Sequence, residues 1–480
     1  MDLTKGPLLK QFLVFAFPIL LTTFMQQMYH TADVMVVGKF ADDIALAAVG
    51  ATGQITALLV NLFVGISSAT NILCAQARGA GDKQRERRII HTSLIFGAGA
   101  GIFLAVAGCV FSPFLLDVID VPAEVRGEAG KYMCIIFLGQ PASMLYNFCS
   151  SIFRARGNSR ISMRILLTTG AVNVLLNLVF VIGFHLDAAG VALATIIANY
   201  LSVLAALYVL FRRDGEFRLS FFDIRFDKRA FFDVVKLGIP TGLNSILFNL
   251  SATIVARAAN GLGTTVVASV SAANSVTNIT HTFGNASCTA LVSFAAQNYG
   301  AGTLHRVDRL LKSVVLTTQG LFLLLNLAIT LYYDLFLGMF TNNPEVVEMG
   351  FHKLILTAWG YHFHLAAGQI NSCSRGYGKS IRPTIINITA ICLVRVIWVA
   401  FFFPLVPETA PLTQRMLWLY VSIPLSWALS FFGQLVDFCF IRRGARKKLC
   451  MEGKLSPEDE ALYGKTKTGR LVIASRDGTK

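Results

Sequence analysis

Residues 75–88, AQARGAGDKQRERR, return in a related form at residues 296–309, AQNYGAGTLHRVDR. The two stretches lie 221 residues apart and are identical at seven of fourteen positions, which is far more than unrelated stretches share by chance. The same offset pairs Arg154 with Arg375 and Gly157 with Gly378. The chain is therefore predicted to be an internal repeat of two similar halves.

Long apolar runs surround both copies of this stretch. A helix of about 20 apolar residues crosses the hydrocarbon core of a bilayer. Twelve runs are long enough, close to residues 11–37, 44–73, 89–112, 131–153, 161–184, 188–211, 231–258, 264–294, 311–333, 351–374, 381–404 and 415–441. Six spans per half is an even number, so both halves start on the same side of the membrane. We predict an all-α polytopic membrane protein with twelve transmembrane helices in two parallel six-helix repeats around a central cavity.

The composition supports a membrane protein. Of the 480 residues, 54% are hydrophobic and 14% are charged, against about 25% charged in a typical soluble protein. The net charge is +15, but the basic residues fall in short gaps between apolar runs. This placement is typical of orientation in a lipid bilayer, and it argues against nucleic acid as a partner.

The basic residues also predict the topology. With a cytoplasmic N-terminus, 35 of the 42 Lys and Arg residues lie on the inner side, and Arg395 lies within span 11. The six outer ones are Lys39, Arg126, Lys131, Arg257, Lys353 and Arg415. We therefore predict a plasma (inner) membrane protein with both termini cytoplasmic. Its parts are an N-lobe at 1–220, a C-lobe at 221–441 and a basic, disordered cytoplasmic tail at 442–480.

Motifs for catalysis and for metal binding are absent from the sequence. It contains no G-x-x-x-x-G-K-[ST] loop and no H-E-x-x-H, and its nine cysteines form no C-x-x-C pair. These absences argue against an ATPase, a zinc hydrolase and a disulfide framework. We expect no catalytic residue, no metal and no cofactor, and we expect the protein not to be an enzyme.

Polar residues within the spans are the remaining candidates for function. Asp33 is the one deep carboxylate, because the other candidate, Asp437, is only five residues from the inner Arg442. A charged group at membrane depth costs several kcal/mol and is usually functional. Further polar residues form stripes at helical spacing: Gln26 and His30 in span 1, Asn173 and Asn177 in span 5, Thr195 and Asn199 in span 6, and Asn274, Asn278 and His281 in span 8. Such stripes either hold helices together or line a cavity, and for span 8 both interpretations stay open.

The pattern of motifs resembles the multidrug and toxic compound extrusion (MATE) family of cation-coupled exporters. Pro18 precedes His30-Thr-Ala-Asp33, both halves carry Gln-x-x-Gly-Ala-Gly and Arg-x-x-Gly-x-Ser, and Asn173-x-x-x-Asn177 leads to Gly190-Val-Ala-Leu-Ala-Thr195. The resemblance covers about residues 8–441. It implies an antiporter that exports drug-like lipophilic organic cations or other small-molecule xenobiotics in exchange for H⁺ or Na⁺.

The resemblance also implies a cation-coupling site in the N-lobe. The family's first-span carboxylate corresponds to Asp33, its span 5 amide to Asn173 and its span 6 hydroxyl to Thr195. Asn177 stands where the family places a second carboxylate, which leaves Asp33 as the charge carrier. One carboxylate suits H⁺, because burial disfavours the charged form of an acid, while the oxygens of the neighbouring amides and hydroxyl could complete a Na⁺ shell.

The substrate is expected to be a lipophilic cation or zwitterion, because the spans carry little fixed positive charge. The cavity between the lobes is predicted to be lined by Gln26, His30, Asn199, Asn274, Asn278 and His281. We expect a monomer. The alternatives are a flippase for a lipid-linked precursor in the same wider superfamily, and a channel or membrane enzyme.

Overall fold

The computed structural model describes residues 1–40, 42–118, 121–212 and 225–463. These residues form helices and no strands. The α-helices are α1 (Leu8–Phe40), α2 (Asp43–Gly79), α3 (Lys83–Val118), α4 (Ala123–Leu138), α5 (Gln140–Ala155), α6 (Ser159–Leu178), α7 (Asp187–Arg212), α8 (Lys228–Asn260), α9 (Thr264–Gly300), α10 (Leu304–Leu331), α11 (Tyr333–Gly338), α12 (Pro344–Gly376), α13 (Ile381–Asn387), α14 (Val394–Ile397), α15 (Leu412–Met451) and α16 (Pro457–Tyr463).

Two of the long helical segments contain π-helical turns. One π-segment, Val179–Gly183, follows α6 directly, and two others, Ile388–Leu393 and Trp398–Phe402, flank α14. A π-turn widens the helix and shifts the side chains that follow it, and such turns are frequent at functional sites. The segments that carry them are the fifth predicted span of each half.

Within the described residues, nine helical segments are long and apolar enough to cross a membrane. The other three predicted spans are helical as well: α9 and α12 are single helices, and α4 and α5 form one helix interrupted at Gly139. Pro141 explains the interruption, because proline lacks the N–H of a helical turn and clashes with the preceding carbonyls. The prediction of an all-α polytopic membrane protein is confirmed, with nine of the twelve predicted spans meeting the criteria of length and apolarity.

The chain forms two compact units. Unit 1 comprises Met1–Asp2, Val14–Arg78 and Asp82–Gly242, and unit 2 comprises Leu3–Leu13, Gly79–Gly81 and Leu243–Lys480. The predicted lobe boundary at residue 220 falls within 213–224, which lies outside the described residues.

Unit 1 is held together by close helix packing around α3. A Cβ at Gly97 would meet the ring of Phe148, and one at Gly108 would meet the ring of Phe137, so these glycines let α4 and α5 approach closely. Near the start of α3, Glu86 accepts a hydrogen bond from Arg156 at 2.7 Å, and both side chains are buried.

Unit 2 is built around α12, which packs against α9 and α15. The C-terminal segment packs against the start of α10. Asp459 on α16 is fully buried and accepts a hydrogen bond from the backbone N–H of His305 at 3.0 Å. Arg446 on α15 binds Asp308 at 2.6 Å.

The C-terminal segment is more ordered than the sequence predicts. Residues 442–463 are largely helical and packed where a disordered tail was expected. Hydropathy alone shows only that the segment is charged, whereas in the fold several of these charges form ion pairs, among them Arg446 with Asp308 and Asp459 with His305. Residues 464–480 of the predicted tail lie outside the described residues.

Candidate functional site

Four polar residues of unit 1 form one hydrogen-bonded network. Asn177 on α6 donates from Nδ2 to Oδ1 of Asp33 on α1 at 2.5 Å. The side chain of Thr195 on α7 is hydrogen-bonded to the same carboxylate. Asn173, one turn before Asn177, donates from Nδ2 to Oγ1 of Thr195 at 3.3 Å. The structure thus brings together all four residues that the sequence suggested for cation coupling.

The network lies against an apolar layer. Asn173 and Asn177 are buried, and Asp33 is half-buried. One buried cluster near the network draws its residues from α1, α2, the π-segment after α6, and α7: Val36, Val37, Ala45, Val49, Val181, Ala188 and Val191. An ionised carboxylate beside such a layer loses much of its hydration, so its stability depends on the hydrogen bonds that it accepts.

One acceptor of the network is unused. Oδ1 of Asn177 is buried and has no hydrogen-bond partner among the described residues. A buried amide oxygen without a donor is unfavourable by about 1–3 kcal/mol. The atom is therefore a free hydrogen-bond acceptor within the network.

The other predicted cavity residues of unit 1 lie near this network but outside it. Gln26 and His30 are exposed on α1, and Asn199 is half-buried on α7. In the described structure none of the three has a hydrogen bond to Asp33. Their predicted role in lining a substrate cavity stays a prediction.

In unit 2, the predicted stripe on α9 meets a buried lysine. Lys353 on α12 is 2% exposed, donates from Nζ to Oδ1 of Asn274 at 2.5 Å and lies 5.6 Å from the ring centre of Tyr420. Lys353, which the charge count assigns to the outer side, is therefore a buried side chain of unit 2. In the sequence, the polar residue Asn274 on the facing helix α9 was the one signal that Lys353 has a buried partner.

The two other predicted residues of α9, His281 and Asn278, lie in different environments. His281 is half-buried and stacks on Tyr361 with ring centres 4.2 Å apart. The ring centres of His364 and Trp427 are 5.1 Å apart, and those of His281 and His364 are 6.4 Å apart. Asn278 is exposed.

A second buried cation, Arg395, was recognised in the sequence only as a charge within a span. It lies on α14 and is 2% exposed. Its Nε donates to Oγ of Ser426 at 3.1 Å, and its Nη1 donates to Oγ of Ser251 at 3.5 Å. The aromatic rings of Phe248 and Trp427 lie 5.4 and 5.8 Å from its guanidinium carbon. Among the described residues, serine hydroxyls and aromatic rings, rather than a carboxylate, therefore surround this charge.

No metal centre is found in the described part of the chain. Its His, Cys, Asp and Glu residues form no group of three or more that could hold a metal ion. The site chemistry available in the described residues is that of one carboxylate with amides and hydroxyls in unit 1, and of two cations with aromatic rings in unit 2.

Repeated helical halves with buried polar networks at membrane depth define the class of multi-pass transporters built from parallel repeats. The MatE family model matches the chain twice, at residues 18–179 and 240–401. Because these matches cover more than half of the sequence, the chain belongs to the MatE, or multidrug and toxic compound extrusion, family. The resemblance inferred from the motifs is thereby confirmed.

Curated relatives match over most of their length. The chain is 27% identical to the probable multidrug resistance protein YoeA of Bacillus subtilis (strain 168), over 80% of this chain and 84% of that protein. It is 25% identical to the probable multidrug resistance protein YpnP of the same organism, over 93% and 98%. It is 23% identical to the multidrug export protein MepA of Staphylococcus aureus (strain MSSA476), over 78% and 84%.

Solved structures share the fold. A MATE transporter in its bent conformation superposes with a TM-score of 0.83 at 18% identity, covering 92% of this chain and 98% of that chain. A MOP-superfamily transporter from Pyrococcus furiosus superposes with a TM-score of 0.80 at 19% identity, covering 92% and 97%.

Proposed function

We propose that this protein is a multidrug exporter that works as a secondary antiporter. It moves drug-like lipophilic organic cations or other xenobiotics out of the cell in exchange for H⁺, with Na⁺ as the other candidate ion, and Asp33 is the coupling carboxylate. The names of its relatives, which are multidrug resistance and export proteins, support the efflux function.

The observation that carries the coupling mechanism is the Asp33 network. Ionised Asp33 accepts hydrogen bonds from Asn177 and Thr195, which stabilise its negative charge beside an apolar layer. Protonated Asp33 carries a proton of its own, so it must donate to an acceptor. The unused Oδ1 of Asn177 supplies that acceptor if the amide turns over.

This exchange of donors and acceptors gives the network two arrangements. The two differ in how α1 is held to α6 and α7, because Asp33 is on α1 and its partners are on the other two helices. A proton that arrives at Asp33 therefore biases the packing of three helices. A switch of this kind between two packed arrangements can couple ion binding to a conformational change.

The amide orientations favour H⁺ over Na⁺. Asn177 directs its Nδ2 toward Asp33, and Asn173 directs its Nδ2 toward Oγ1 of Thr195. A bound Na⁺ would need both amides to present their oxygens, because hard cations take oxygen ligands. A proton requires only the one amide of Asn177 to turn.

We also propose the plasma (inner) membrane as the location, both termini in the cytoplasm and a monomeric state. The distribution of Lys and Arg between alternate loops supports this orientation.

The experiment replaces Asp33 with Asn. Asp33→Asn keeps the size and the hydrogen-bonding capacity of the side chain but removes the titratable group, so the protein should fold while coupled transport is lost. The measurement is efflux of a fluorescent lipophilic cation from proteoliposomes under an imposed proton or sodium gradient, at matched protein levels.

Asp437→Asn is the matched control. Asp437 is also a buried aspartate within a long helix, but it is paired with Arg382 at 2.6 Å, far along the chain from the network. Wild-type transport by Asp33→Asn under the same gradient would refute the mechanism and leave Asp33 a structural residue.

A further inference from the structure

Two thiols of unit 1 lie in contact, Cys109 on α3 and Cys134 on α4. Their sulfur atoms are 2.7 Å apart, and the thiol of Cys109 also donates to the backbone oxygen of Cys134 at 3.4 Å. Both cysteines are free and half-buried. The sulfur atoms of a disulfide are about 2.05 Å apart. A small movement of the two side chains therefore suffices for a bond to form between them.

The register of α3 against α4 places these thiols opposite each other. Asp117 follows the first cysteine by eight residues and Arg126 precedes the second by eight, and these two residues form an ion pair. On the other side of the thiols, a Cβ at Gly108 would overlap the ring of Phe137, so the two backbones approach closely there. A disulfide requires Cα atoms about 4.4–6.8 Å apart, which only closely packed helices provide. The thiol contact thus follows from the packing of the whole hairpin.

The pair lies near the polar end of this hairpin. Cys134 comes three residues after Lys131, whose side chain is 68% exposed and pairs with Glu128 at 2.8 Å. A helix rises about 1.5 Å per residue, so the thiol is about 4.5 Å along α4 from an exposed charge. A polar oxidant can therefore approach it. In the proposed orientation this end of the hairpin faces the outside, where disulfides form and persist.

We propose that Cys109 and Cys134 are an oxidation site, at which a disulfide links α3 to α4. The oxidant is an organic disulfide such as oxidised glutathione. The thiolate of one cysteine attacks a sulfur of the oxidant, forms a mixed disulfide and releases one thiol. The thiolate of the second cysteine then attacks the protein sulfur of the mixed disulfide and releases the second thiol. The protein loses two electrons and two protons, and the oxidant gains both as two reduced thiols.

The consequence of the bond is stabilisation of unit 1. It joins positions 25 residues apart, so it restricts the unfolded chain while the hairpin is already packed in the folded one. The coupling network lies on α1, α6 and α7, whereas the thiols lie on α3 and α4. The inference is therefore independent of the proposed role of Asp33.

The test compares reduced and oxidised wild-type protein, purified at full length in detergent. One sample is kept in dithiothreitol and the other is incubated with oxidised glutathione, and both are then denatured and alkylated with N-ethylmaleimide. Mass spectrometry should find all nine cysteines alkylated in the reduced sample. In the oxidised sample it should find a peptide that links Cys109 to Cys134. Before denaturation, the oxidised protein should melt about 5 °C higher than the reduced protein.

Three variants complete the set. Cys109→Ser and Cys134→Ser each keep the size of the side chain and remove one partner, so the melting temperature should no longer depend on the oxidant. Cys439→Ser is the matched control, because Cys439 is an exposed thiol of α15. It should leave both the linked peptide and the rise in melting temperature unchanged.

Three results would overturn the proposal. They are full alkylation of Cys109 and Cys134 after treatment with the oxidant, linkage of either one to glutathione or to another cysteine instead, and a rise in melting temperature that is absent from the wild type or persists in Cys109→Ser. The comparison of the two wild-type samples needs no variant, so a misfolded mutant cannot hide the answer.

Discussion

Replacement of Asn177 by alanine should shift the pH dependence of transport without abolishing it. Asn177 is fully buried and donates to Asp33 at 2.5 Å, so this bond favours the ionised carboxylate. A hydrogen bond to a charged group contributes about 1.5–3 kcal/mol. Without it, Asp33 should take up a proton at a lower proton concentration.

The size of the shift follows from the same figure. One pH unit corresponds to about 1.4 kcal/mol, so the midpoint of the pH–rate profile should move by about one to two units toward alkaline pH. The maximal rate should fall as well, because the variant lacks the amide oxygen that accepts the proton of the protonated acid.

The assay is efflux of a fluorescent cation from proteoliposomes across a series of external pH values at a constant pH difference. Asn147→Ala is the matched control, since Asn147 is an amide of unit 1 that hydrogen-bonds to its own helix at Ser143. An unchanged midpoint in Asn177→Ala, or a move toward acid, would refute the assignment of this bond to the ionised state.

Two further predictions concern packing and topology. A Cβ at Gly170 on α6 would overlap the ring of Tyr29 on α1, so Gly170→Ala should destabilise unit 1 by about 1–3 kcal/mol and lower the melting temperature in detergent. Gly99→Ala is its control, because a Cβ there meets nothing within 4 Å, and an equal loss in both variants would contradict the packing argument. Reporter fusions after Gly215 and after Lys448 should both report the cytoplasm, and an outside signal from either would contradict the proposed orientation.

Much of the Asp33 site could be predicted from the sequence because its chemistry is rare at membrane depth. A single deep carboxylate stands out among apolar residues, and amides at helical spacing mark the faces that point toward a polar partner. Asn177 and Thr195, which meet Asp33, lie 144 and 162 residues further along the chain, yet the family motifs place them in order. The hydrogen-bond pattern itself, including the unused oxygen of Asn177, was not predictable.

The surroundings of the two buried basic residues of unit 2, Lys353 and Arg395, could not be predicted from the sequence. Lys353 is ten residues into α12, and a count of loop charges assigns it to the outer surface. Whether such a lysine reaches water or turns inward depends on the helices packed around it, and here Asn274 and Tyr420 receive it. The serines and rings around Arg395 are common residues in any membrane helix, so nothing in their local sequence marks them as its partners.

The sequence by itself determined the helical class, the repeat and the family, because hydropathy, charge bias and spaced motifs act along the chain and need no knowledge of neighbours. Only the tertiary structure decided which polar groups meet. Each helix has many faces, and a hydrogen bond forms only over a short distance. The pairing of Asp33 with Asn177, the burial of Lys353 and the unpaired Nη2 of Arg395 among the described residues therefore depend on how the helices pack within each unit.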